Sequence, residues 1–165
     1  RTLLTGAVVT AAGALTYAQG TPAPAETTLD NIPLGPSVTI TVERRGQIAL
    51  VGINRPAIQN RIDPQTRLRL GEALYRYEHD STLRALVLFG HGPNFSRGID
   101  VDAAQSGIIS GNRETSPAPT LDVLGNTGAR RTKPVVAVVH GDTWNLGHEI
   151  YLACDIRVAA ANTTS

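Results

Sequence analysis

Two uninterrupted apolar runs, Ala85-Leu86-Val87-Leu88-Phe89 and Val135-Val136-Ala137-Val138-Val139, most constrain how this chain can fold. Each run is short and continuously apolar, so it is expected to be a strand covered on both faces. Asp63 before Pro64 marks a helix start with proline at its first position. Leu70, Leu74 and Tyr77 then share one helical face, so that helix is expected to end near His79. Val38-Thr39-Ile40-Thr41-Val42 alternates, and Gln47 to Ile53 follows a turn at Arg45-Gly46, so the two are expected to form a hairpin. A short helix is expected over Asp100 to Ser106, and a mobile loop over Gly107 to Pro119. Leu121 to Arg131 reads as a helix weakened by Gly125 and Gly128. Gly147 to Ala153 reads as helical, and Ile156 to Ala159 as the start of a last strand. Strands alternating with helices imply crossover units and an α/β layered domain.

The chain has 165 residues, about one domain's worth. With 41% hydrophobic and 18% charged residues it has enough apolar material for a core, which argues against disorder as the dominant state. A net charge of +1 carries no signature of a nucleic-acid or anionic-surface partner. The single cysteine, Cys154, excludes an internal disulfide framework and a multi-cysteine zinc site. His79, His91 and His140 are too scattered for a metal site, and none is expected.

The sequence has no methionine, so the chain is expected to be processed, trimmed or a fragment. From Thr2 to Ala25 no side chain is charged. Arg1, the apolar stretch Leu3 to Leu15 and the triplet Ala23-Pro24-Ala25 follow the order of a secretory signal. Arg1-Thr2-Leu3-Leu4 also resembles the second half of a twin-arginine signal. Residues 1–25 are therefore expected to be an export signal, with a single anchor helix or a plain tail as the other readings. An exported, periplasmic location follows from the first reading, and a cytoplasmic one is the alternative. Residues 26–37 read as a proline-rich linker, and 38–165 as the domain.

Two loops follow the buried strands: Gly92-Pro93-Asn94-Phe95-Ser96-Arg97-Gly98-Ile99-Asp100 and His140-Gly141-Asp142-Thr143-Trp144-Asn145-Leu146-Gly147-His148-Glu149. Each runs from a parallel-type strand into a helix start, where open α/β sheets bind ligands. Helix starts expose unpaired N–H groups that attract negative charge. Two such groups aimed at one point would hold a carbonyl oxygen as it becomes an enolate.

Five pieces then occur in one order: Ile53-Asn54-Arg55-Pro56 with Asn60; Phe95 to Asp100; Lys133 to Gly141; Leu146-Gly147-His148-Glu149; and Ala153-Cys154-Asp155-Ile156. In this order they resemble the first half of the crotonase family, the enoyl-CoA hydratases and isomerases. The resemblance implies a crotonase-like layered fold of ββα units, incomplete at its C-terminus. It makes the N–H of Ile99 one oxyanion donor and that of Leu146 the other, and Glu149 the first catalytic carboxylate, a general acid/base. Ala57, Ile58, Arg97, Gly98, Asp100 and Val101 match the coenzyme A contact regions. Many relatives carry a run of glycines where this chain has Asn145-Leu146-Gly147, so Leu146 is a departure.

By the family's spacing a second catalytic carboxylate would fall just after Ser165. The resemblance implies a coenzyme A thioester substrate, no tightly bound cofactor, and a trimer or hexamer in the complete protein. His148 projects about 100° from Glu149 and is expected to be behind it or exposed. Asp155 is expected to make a structural hydrogen bond, Cys154 to be buried, and Trp144 to line the acyl pocket or pack in the core. A serine peptidase of the related fold would need a serine in the second loop, which has none. The rival readings are a non-catalytic exported protein that keeps the scaffold, and an inactive gene fragment.

Overall fold

The computed structural model describes residues 27–110 and 118–165. The segment expected to be an export signal lies outside the described residues. Five strands, β1 (Ile40–Arg45), β2 (Ile48–Ile53), β3 (Ala85–Gly90), β4 (Val135–Val139) and β5 (Ile156–Ala159), form one sheet in chain order. β1 and β2 are an antiparallel hairpin with Arg45 opposite Ile48. From β2 onward every neighbour is parallel, with Ile48 opposite Ala85, Leu86 opposite Val135 and Val136 opposite Ile156. The helices α1 (Pro64–His79), α2 (Val101–Ser110) and α3 (Leu146–Ala153) sit in the connections.

Helix α1 starts where its sequence marks it. The Asp63 side chain accepts from the Thr66 N–H at 2.7 Å, and Pro64 opens the first turn. At the other end the Lys133 ammonium donates to the carbonyls of Tyr77 and Asp80, a cation set against the negative pole of the helix. Leu70, Ala73, Leu74 and Tyr77 are buried in one cluster with Leu86, Leu88, Val135 and Ala137. The Tyr77 hydroxyl donates to the Pro134 carbonyl at 2.7 Å. Burial, helped by the nearby Glu78 and Asp155 charges, pushes that phenol up to about 12.

Several elements depart from the expectation. Along β3 and β4 fully buried residues alternate with half-buried ones, so one face is covered completely and the other in part. β5 is exposed along its length. Helix α2 runs to Ser110, into the stretch expected to be a loop. Residues 121–131 are not helical. The Asp122 carboxylate accepts from the N–H groups of Leu124, Asn126 and Thr127, and Gly125 stands at φ 67, so the chain coils around one side chain. Leu121 and Val123 still join the core.

The described part of the proline-rich segment is docked on this body. Leu29 is buried, its N–H donates to the Asp80 carboxylate at 3.0 Å, and Ile32 pairs with Val42 at the sheet edge. Asp155 accepts from the Val135 N–H at 2.8 Å, and Cys154 is buried. Among the described residues no helix is long and apolar enough to cross a membrane.

Candidate active site at the ends of the parallel strands

Because β2, β3 and β4 run parallel, the segments leaving them start side by side at one end of the sheet. Their backbone groups need partners, and they find them in one another. The first half of the 91–100 loop pairs with 140–144. Phe95 N–H donates to the His140 carbonyl at 2.8 Å, Ser96 N–H to Asp142 at 3.1 Å, and Trp144 N–H to Ser96 at 3.0 Å. The second half pairs with 59–62. Arg97 N–H donates to the Gln59 carbonyl at 3.0 Å, Ile62 N–H to Gly98 at 2.8 Å, and Asp100 N–H to Ile62 at 3.0 Å. Buried Asn60 fastens both, donating to the carbonyls of His91 and Asn94 and accepting from the Arg55 N–H, each at 2.8 Å.

This pairing orients the backbone at Ile99. Ile99 lies opposite Ile62, and the bonds on that side come from the Gly98 carbonyl and the Asp100 N–H. The N–H of Ile99 itself therefore points away from Ile62.

At the second loop the Trp144 carbonyl accepts from the Gly147 N–H at 2.9 Å. Asn145, the second residue of that turn, has φ 47 and ψ −127. These angles are those of a type II′ turn, whose third residue keeps its N–H outside the turn's own bond. That residue is Leu146, the first of α3, so the helix does not use the N–H either. The Asn145 side-chain oxygen accepts from it at 2.7 Å. Leu146 is not among the residues with positive φ, so a leucine there costs the backbone nothing. The strained departure from a run of glycines is Asn145, one residue earlier than the sequence suggested.

The loops touch at Gly98. A Cβ on Gly98 would lie 2.6 Å from the Cβ of Asn145, and its φ of +95 already excludes most side chains. Ile99 and Leu146 each follow one of these two touching residues. Glu149 is exposed in the first turn of α3, where a carboxylate is favoured by the helix dipole. His148 lies beside the Tyr151 ring with its Nδ1 buried and unbonded.

The positions matched to coenzyme A contacts fall into two kinds. Ala57 and Ile58 lie in a 3₁₀ turn and are exposed, as is Val101. The Arg97 guanidinium is engaged within the loops. It bonds the Gln59 side chain and the Asp142 carboxylate, each at 3.0 Å, and lies 4.5 Å from the centre of the Trp144 ring. The Asp100 carboxylate pairs with Arg55 at 3.0 Å, and Arg55 also holds Asp63 at 2.9 Å. Trp144 is not in the core. It is 40% exposed and donates to the Thr164 hydroxyl at 3.2 Å. Ile58, Ile99 and Val101, in the same loops or at their ends, are exposed as well. Among the described residues no group of histidine, cysteine and carboxylate side chains is placed to hold a metal.

Sequence reasoning missed the reach of Asn145 and the Arg97–Asp142 pair. An asparagine in a glycine-rich turn was the available signal for the first, since asparagine tolerates positive φ better than most residues. No sequence pattern signals the second.

Residues 43–164 match the family model described as enoyl-CoA hydratase/isomerase. Over 129 residues the chain is 33% identical to the short-chain-enoyl-CoA hydratase of Clostridium acetobutylicum, covering 74% of this chain and 47% of that protein. Over 127 residues it is 32% identical to 4-chlorobenzoyl coenzyme A dehalogenase-2 of an Arthrobacter species, covering 76% and 46%. The crystal structure of a probable enoyl-CoA hydratase/isomerase from Mycobacterium abscessus superposes with a TM-score of 0.70 at 35% identity, over 76% of this chain and 48% of that one. The chain thus spans about half the length of the relatives it matches and shares their crotonase fold over that span. A sheet whose loops knit together at one end, a family match from 43 to 164 and an agreeing solved structure lead to one assignment: the chain belongs to the enoyl-CoA hydratase/isomerase family.

Proposed function

We propose that this chain carries the thioester-binding part of an enoyl-CoA hydratase or isomerase. The carrying observation is the contact of Gly98 with Asn145, which sets the residues before Ile99 and Leu146 against each other. In this reading the two N–H groups hold the thioester oxygen of an enoyl-CoA. When water adds across the double bond, the electrons move onto that oxygen and the donors stabilise the enolate. Glu149 takes a proton from the water as general base and returns one to the carbon next to the carbonyl as general acid. The exposed apolar side chains of Ile58, Ile99, Val101 and Trp144 are available to the acyl and pantetheine parts. Serine chemistry is not favoured. The Ser96 hydroxyl is buried, donating to the Asn60 carbonyl at 2.7 Å and accepting from the Gly98 N–H at 3.1 Å.

One observation favours a second reading, a scaffold without catalysis: the Leu146 N–H is already bonded. Calorimetry with coenzyme A separates the two, since the enzyme binds it and the bare scaffold does not. Mixed with crotonyl-CoA, the complete protein is expected to remove the conjugated thioester absorbance. Glu149→Gln is expected to slow that loss by about a hundredfold or more. An unchanged rate would remove Glu149 from the mechanism.

A further inference from the structure

Asn145 differs from an ordinary helix cap, because its acceptor oxygen sits on the N–H of the very next residue. We infer that the Asn145 carboxamide is a built-in competitor for the substrate carbonyl, and that it lowers acyl-thioester affinity until its side chain swings off Leu146. This inference rests on the acyl-CoA reading and names the residue that tunes it.

Three observations carry it. First, the Asn145 oxygen lies 2.7 Å from the Leu146 nitrogen, the distance a bound carbonyl oxygen would take. Both are sp² oxygens, and a single N–H cannot give full strength to two. Second, the carboxamide lies against the other loop. A Cβ on Gly98 would be 3.1 Å from both its Cγ and its Oδ1, so the group sits beside the chain that leads to Ile99. Third, Asn145 is exposed, so its side chain has open solvent to swing into.

An acceptor tethered one residue away is always present at high effective concentration. Ligand therefore meets an open N–H only in the fraction of molecules in which the amide has moved, and apparent affinity falls by that fraction. A neutral amide oxygen is also a weaker acceptor than an oxygen gaining negative charge. Moving the amide costs the same in both states, and the stronger hydrogen bond to the enolate offsets more of that cost. Coenzyme A without an acyl group has no carbonyl to place there and is unaffected.

The test compares the complete protein with its Asn145→Gly and Asn145→Asp variants. Glycine removes the acceptor and suits the positive φ, whereas aspartate keeps the acceptor and adds charge. Amide exchange at Leu146, followed by NMR, reads the occupant directly. Calorimetry with crotonyl-CoA and with coenzyme A reads its consequence. Asn145→Gly is expected to speed Leu146 exchange and to tighten crotonyl-CoA roughly three- to tenfold, the worth of one net hydrogen bond. Asn145→Asp is expected to weaken crotonyl-CoA, and coenzyme A affinity stays equal in all three proteins. Unchanged exchange in Asn145→Gly overturns the inference, as does an equal shift for both ligands, which would mean general loosening of the loop. If crotonyl-CoA binds none of the three proteins, the acyl-CoA reading fails, and the exchange rates still decide for or against Asn145 as occupant of the N–H.

Discussion

At the scale of single residues the site depends on a contact that only a glycine permits. Gly98→Ala would place a methyl group 2.6 Å from the Asn145 Cβ at a φ of +95, so two penalties fall on one position. The expected cost is about 1–3 kcal/mol, read as a lower urea midpoint with an unchanged slope. A loss below about 0.5 kcal/mol, within the range of ordinary surface changes, would mean that the loops slide apart at little cost. Ile99, Leu146 and Glu149 enter as candidates from the sequence alone, because the order of short motifs marks their positions. The Asn145 oxygen on the Leu146 N–H leaves no such mark, since its position follows from a turn with φ 47 and ψ −127. Arg97 shows the same limit. Its residue type suggests a free cation, but Asp142, Gln59 and Trp144 already surround it.

At the scale of elements, legibility followed the strength of the local signal. Helix α1 could be read to the residue, because capping and proline chemistry mark its start and periodicity marks its buried face. Asp63→Ala is expected to cost about 1 kcal/mol through loss of the bond to the Thr66 N–H. Release of Arg55 adds to this, since it shares its guanidinium between Asp63 and Asp100. Urea unfolding of the single variants and of Asp63→Ala with Asp100→Ala measures that coupling, and strict additivity would show that the shared guanidinium carries none. Residues 121–131 were misread because Leu121, Val123 and Leu124 imitate part of a helical stripe. The competing hydrogen bonds that the Asp122 carboxylate accepts leave no trace in hydrophobic periodicity. Lys133 was read only as part of a motif before a strand, and its place over the carbonyls of Tyr77 and Asp80 depends on a neighbour more than fifty residues away in the chain.

At the scale of the whole molecule, one buried carboxylate fastens distant parts together. Asp80 accepts from the Leu29 N–H, from Arg44 and from Thr82, which ties the leading segment, β1 and the end of α1. Burial alone would raise its pKa, but the hydrogen bonds from Thr82, Leu29 and Arg44 outweigh that and hold it well below the usual carboxylate range. Its folded value is thus lower than its unfolded one. The stability it supplies is complete above the unfolded value and is lost as pH falls from there toward the folded value. Asp80→Asn is expected to lower unfolding free energy at pH 7 by about 3 kcal/mol, because Arg44 is left without its partner. The gap between the two proteins should narrow as unfolding is repeated toward pH 3, and a gap independent of pH would rule out this linkage.

The strand order β1-β2-β3-β4-β5 repeats the order of the chain itself. During synthesis, a polypeptide leaving the ribosome amino end first can lay each new strand on an edge already formed. No strand has to wait for a later one to be wedged between earlier neighbours. Assembly can therefore proceed vectorially, and the loops that meet at Gly98 and Asn145 come together only after the fourth strand has emerged.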